Sequence, residues 1–84
     1  MRGMQLPLRF TQAARKHKIG REAVREALRS AGAPLVIAEE GKDDRLIYLG
    51  RDGRGRELEI IAVLMPGYFL IIHAMPTALR RSRS

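Results

Sequence analysis

The sequence predicts an α+β domain in which two N-terminal helices pack on one face of a three- to four-stranded antiparallel sheet. Two observations lead there. Apolar residues recur at helical spacing before Pro34, and after it they gather in short runs rich in β-branched and aromatic residues. Those later runs are separated by brief turn signals, which fits a meander better than helix-linked parallel strands. With 84 residues the chain is read as one domain. Residues 10–31 form its helical half, residues 35–76 its antiparallel sheet and residues 77–84 a basic tail.

The first helix is expected over about residues 12–17. In "FTQAARKHKIG", Thr11 is a good N-cap, and Ala13, Ala14 and His17 fall along one side. The second, over residues 21–31, is the clearer: Val24, Ala27, Leu28 and Ala31 repeat at helical spacing, and Gly32 with Pro34 ends the run. Arg21, Arg25 and Arg29 form an i, i+4, i+8 line on its outer side, with Glu22 and Glu26 beside them. Such a line is ordinarily a solvated face and secondarily a track for phosphates.

Strands follow in "LVIA", "RLIYLG", "ELEIIAVLM" and "YFLIIHAM". Asp52-Gly53 and Pro66-Gly67 are the turn signals between the last three. A further strand in "QLPLRF" is confined to a sheet edge by Pro7. A two-residue Asp52-Gly53 loop pairs Leu49 with Arg56 and Leu46 with Glu59. A tight turn over Met65 to Tyr68 pairs Leu64 with Phe69 and Ile60 with His73. That register gathers Ile47, Leu49, Ile60, Phe69 and His73 on one face, and Tyr48, Glu59, Ile61, Val63, Leu70 and Ile72 on the other. A three-residue Pro-Gly loop instead brings His73 opposite Glu59, and both registers stay open. The second face is too apolar to stand bare in water, which calls for a partner over Ile61, Val63, Leu70 and Ile72.

The charge is unevenly placed. The formal net charge is +7. Residues 1–34 carry eight basic and two acidic residues, residues 35–65 five basic and seven acidic, and the tail adds Arg80, Arg81 and Arg83. A basic helical half and basic tail around a mildly acidic sheet point to a polyanion, most simply RNA. Absence of cysteine excludes disulfides and thiolate metal sites. No apolar run nears the roughly 20 residues that span a bilayer, and "MRGMQLPLRF" lacks the apolar core of a signal peptide. A cytoplasmic protein without a membrane partner is expected.

No phosphate-loop or HExxH motif is present, and two histidines make a metal site improbable, so no cofactor is expected. What the sequence does hold are the ingredients of metal-independent RNA cleavage. That reaction needs a base for the 2′-hydroxyl, cations for the crowded phosphate and an acid for the leaving 5′-oxygen. His17, His73, Glu57, Glu59, Tyr48 and Tyr68 are the candidate proton carriers; Arg45, Arg54, Arg56 and Arg80 are the candidate cations. Against this stands the plain reading of His73 as a hydrogen-bonded core histidine, and of the glycines in "RDGRGR" as turn geometry.

Three stretches together carry a resemblance. "ARKHKIGREAVREAL", "GRELEIIAV" and "LIIHAMPTALRR" resemble the BrnT-type toxins and their neighbours in the RelE-like ribonuclease group. Lys16 and His17 match that group's Lys-His pair, Gly55 and Arg56 its strand opening, and Ile71 to Ala74 its final strand. Met75 departs from it, standing where the group commonly shows arginine. The resemblance implies a toxin-like endoribonuclease held inactive by a cognate antitoxin. From the chemistry, His73, His17, Glu59, Arg56 and Arg80 form the expected catalytic set, with Arg15, Lys16, Lys18 and Arg54 binding RNA. The alternatives are a non-catalytic nucleic-acid-binding or regulatory protein on the same scaffold, and a small dimerisation module whose sheet face forms a homodimer.

Overall fold

A computed structural model describes residues 6–81. Strand β1 (Leu8–Phe10) leads through a 3₁₀ turn (Ala13–Arg15) into helix α1 (Arg21–Ser30). Strands β2 (Leu35–Ile37), β3 (Arg45–Arg51), β4 (Glu57–Met65) and β5 (Tyr68–Pro76) follow, and a short helix α2 (Thr77–Arg81) closes the described chain. The five strands form one sheet in the order β1-β5-β4-β3-β2. Strands β2 to β5 are an antiparallel meander, whereas β1 lies parallel to β5. After β1 the chain crosses one face of the sheet as α1, reaches the opposite edge as β2, and winds back until β5 meets β1.

The expected fold is therefore corrected. The sheet is five-stranded and mixed, and α1 is the sole helix of any length among the described residues. The "QLPLRF" segment does supply an edge strand, and Pro7 suits the edge: its carbonyl accepts the Phe69 N–H at 2.9 Å. The expected first helix is only a 3₁₀ turn. Thr11 Oγ1 accepts the Ala14 N–H at 3.1 Å, as an N-cap does, but only Ala14 of that turn is buried. Three residues with one apolar anchor do not offset the cost of nucleating an α-helix. The expected basic tail begins as α2, tied to β4 where Thr77 Oγ1 donates to Glu57 Oε1 at 2.8 Å.

The core lies between α1 and one sheet face. Val24 and Ala27 of α1 meet Leu58, Ile60 and Ala62 of β4 and Ile71 and Ala74 of β5, with Leu8, Ala14 and Ile19 closing the β1 end. Small residues let the helix come close. Gly50 of β3 sits directly under α1, where a Cβ would run into the Ala27 carbonyl oxygen. Ser30 Oγ accepts the Arg51 N–H at 2.7 Å and so joins the end of α1 to the end of β3. Glu26 Oε1 accepts the Gly53 N–H at 2.7 Å, so Glu26 serves the hairpin instead of the arginine line on α1.

Both hairpin registers differ from the expected ones. Asp52 and Arg56 close a three-residue loop in which Gly55 takes φ 81° and its N–H donates to the Asp52 carbonyl at 3.0 Å. Leu49 thus pairs with Glu59 and Leu46 with Ala62. That odd shift exchanges the faces of β3 relative to β4. In the second hairpin Leu64 pairs with Phe69 as expected, but a bulge follows. Ala62 pairs with Ile71 and Ile61 with His73, leaving Ile72 as the extra residue. His73 therefore faces away from Ile60 and α1. Ile47, Leu49, Glu59, Ile61, Val63, Leu70 and His73 share the open face; Tyr48, Ile60 and Phe69 share the helix face.

Candidate functional site

The site grows from the bulge in β5. Beyond it His73 stands on the open face beside Ile61, and Glu59 lies one residue pair further along that face. His73 Nε2 and Glu59 Oε1 are 3.1 Å apart, with the imidazole side chain 29% exposed and the carboxylate 11%. Against an ionised carboxylate, which only accepts, Nε2 is the nitrogen that donates, and in a neutral ring Nδ1 then keeps its lone pair. His17 completes the group. It follows the 3₁₀ turn that packs along β5, and its ring centroid lies 6.4 Å from that of His73, edge to face at 79°. Lys18 then takes a left-handed φ of 57°, turning the chain so that Ile19 enters the core.

Three of the five expected catalytic residues, His17, Glu59 and His73, thus come together from three separate elements. Arg56 does not join them. Its Nε donates to Asp52 Oδ2 at 2.8 Å, and its Nη2 lies 2.7 Å from the same oxygen. It stands just before β4, three residues or about 10 Å from Glu59 and five residues or about 17 Å from Ile61 at the rise of a strand. The side chain of Arg80 falls outside the described residues. Arg54 is exposed at the hairpin tip, and Arg15, Lys16 and Lys18 are exposed around the 3₁₀ turn next to His17. Of the other candidate proton carriers, Tyr48 packs against the core and Glu57 accepts from Thr77.

Asp52 anchors the glycine-arginine hairpin. Its Oδ1 accepts the N–H groups of Arg54 at 2.9 Å and Arg56 at 3.0 Å, and its side chain is only 1% exposed. Burial alone would raise its pKa. The Arg56 amide, the Arg56 guanidinium and the Arg54 amide outweigh that effect and hold the carboxyl below its ordinary value. "RDGRGR" is accordingly organised around its aspartate, and its arginine at position 56 neutralises an internal charge.

Two further cations lie on the open face: Arg45, one of the candidate cations, and Arg9, which received no special weight in the sequence. Arg45 borders a shallow depression of about 620 Å³ with Val63 and Ile72. Arg9 of β1 lies with its guanidinium carbon 4.5 Å from the centroid of the Tyr68 ring. Alternation in β1 was the available signal for Arg9, since Leu8 and Phe10 flank it on the core side. Among the described residues, no group of three or more metal-ligating side chains could hold an ion, and no helix is long and apolar enough to cross a membrane. No known protein family, curated protein or solved structure matches the chain.

Proposed function

We propose that this protein is a metal-independent endoribonuclease of the toxin type. The observation that carries the reading is the pairing of His73 with Glu59 on the open sheet face, with the His17 ring beside His73, in a chain with net charge +7. Glu59 fixes the His73 tautomer, and the free Nδ1 takes the proton of a ribose 2′-hydroxyl. The 2′-oxygen then bonds to phosphorus while the bond from phosphorus to the 5′-oxygen breaks. His17, in its protonated form, supplies the proton that the leaving 5′-oxygen needs. The products are a 2′,3′-cyclic phosphate and a 5′-hydroxyl, and no metal enters the balance. A cognate antitoxin lying over Ile61, Val63, Leu70 and Ile72 would silence the enzyme by covering the same face, and a second copy in a homodimer would compete for that place.

The test is single-stranded RNA incubated with the protein in excess chelator. Cleavage to a cyclic phosphate is expected, and His73→Gln should lower the rate by about 10²–10⁴ while leaving folding little changed. RNA left intact by the wild type, or cleaved equally by the variant, would refute the reading. One observation favours a second function: Arg56 is committed to Asp52 and is not offered to a phosphate. A nucleic-acid-binding protein without catalysis fits that fact, and salt-sensitive binding to RNA that stays intact would be its signature.

A further inference from the structure

The strand register lines up four residues straight across the open face. Arg45 pairs with Val63, Val63 with Leu70, and Leu70 with Arg9. The row therefore runs from β3 to β1 with a cation at each end, three strand spacings or about 14 Å apart. Neither arginine has a carboxylate partner among the described residues. Between them lie the apolar side chains of Val63 and Leu70, with Tyr68 beneath the Arg9 guanidinium. The adjoining row holds Ile47, Ile61 and His73.

We infer that Arg9 and Arg45 are the phosphate-binding cations of this site and that they hold a single-stranded polynucleotide across the sheet, past His73. The inference rests on the nuclease reading for the role of His73, but the binding surface stands on its own geometry. A face with two arginines at the ends of an apolar row suits a strand whose bases are exposed. Bases can lie on Leu70, Val63 and the flat guanidinium that Tyr68 supports, while the phosphates meet the charges. A duplex offers no unstacked base to such a row. Direction is set by charge as well. Glu39, Glu40, Asp43 and Asp44 precede Arg45 and outnumber Lys42, which pairs with Glu39 at 3.3 Å; Lys42 and Asp43 both line the same depression. The carboxylates repel a polyanion on the β2 side, so the strand leaves Arg45 toward β1, His17 and the exposed Arg15, Lys16 and Lys18.

The probe is a fluorescent single-stranded DNA oligonucleotide, which lacks the 2′-hydroxyl and cannot be cleaved by the proposed chemistry. Its affinity is followed by anisotropy as salt is raised. Each phosphate contact contributes about −0.7 to the log-log slope for single strands. R9A and R45A should each make the slope shallower by about 0.7, and the double variant by about 1.4. The duplex form of the oligonucleotide should bind more weakly. Because each single variant is read separately, failure of the double variant to fold does not remove the test. An unchanged slope in folded R9A and R45A, or tighter binding of the duplex, would overturn the inference. So would absence of binding by the wild type at low salt, the result expected if this face serves only a protein. RNA cleavage that persists with an unchanged slope would sink the inference and spare the nuclease reading; a shallower slope with no cleavage would do the reverse.

Discussion

Everything placed on the open face depends on α1 lying tightly against the other one, and Gly50 is where that contact is closest. In Gly50→Ala the added methyl meets the Ala27 carbonyl, which belongs to the helix backbone and not to a side chain that can swing away. The helix must retreat as a body. A gap of about 1 Å forfeits roughly a quarter to a half of the dispersion well at each contact. Val24 and Ala27, both 0% exposed, would lose those contacts with β4. Overpacking ordinarily costs about 1–3 kcal/mol, and a rigid obstacle puts this site at the top, about 3 kcal/mol. Each kcal/mol lowers Tm by about 4–8 °C in a domain of this size, so the melting temperature should fall by about 12–24 °C. Gly53→Ala is the internal comparison. Its methyl meets the Glu26 carboxylate oxygens at 2.9 Å, a flexible end that can move at the loss of one hydrogen bond. That change should cost about 1 kcal/mol. Thermal melts by circular dichroism read both. A Gly50→Ala Tm within about 4 °C of wild type, or equal losses in the two variants, would show that α1 does not lie on β3 as described.

Two further outcomes are expected. The pKa of Asp52 is lowered in the folded state, so its contribution to stability is fully present above the ordinary aspartate value near 4 and fades as pH falls through the lowered one. Denaturant melts should therefore separate the wild type from Asp52→Asn at pH 6 and bring them together toward pH 2; a constant gap would mean that the charge on Asp52 is not what matters. Glu59 is assigned as a positioning residue, so Glu59→Gln should change the pH profile of RNA cleavage as well as its rate, because the amide no longer fixes which His73 nitrogen carries the proton. A lowered rate with an unchanged pH profile would argue for a merely structural carboxylate.

What the sequence made legible follows from how locally each feature is determined. Helix α1 was readable because Val24, Ala27 and Leu28 repeat at helical spacing and Gly32 with Pro34 stops the run. Strands β3 to β5 were readable from their β-branched runs. Strand β1 has only Leu8, Arg9 and Phe10, too few for a period to show, and its partner Phe69–Ile71 lies some 60 residues away in the chain. No local signal announces such a parallel pair. The Asp52-Gly53 signal marked the hairpin at the right place but misjudged its length. The Asp52 carboxylate gathers the amides of Arg54 and Arg56, and Gly55 supplies the left-handed residue that a three-residue loop needs. Arg56 was expected at a phosphate because its demand by Asp52 appears only once that loop is closed.

The bulge at Ile72 is the event on which the candidate site turns. Continued without it, the register of β5 would set His73 opposite Ile60, on the core face, where the imidazole would need a buried partner that the apolar core does not offer. With it, Ala74 takes that place at 1% exposure, an apolar side chain within the core cluster. His73 moves to the open face, where Glu59 supplies its hydrogen bond and the ring still reaches the edge of His17. One extra residue thus reconciles two demands on the same strand: apolar side chains on the core face, and a polar side chain beside a carboxylate on the far side. The same bulge leaves Ile72 facing the depression beside Arg45, next to the row that ends at Arg9. Core packing and the composition of the open face are therefore set by a single irregularity, and its position, more than any residue type, decides whether His73 is a core residue or available for chemistry.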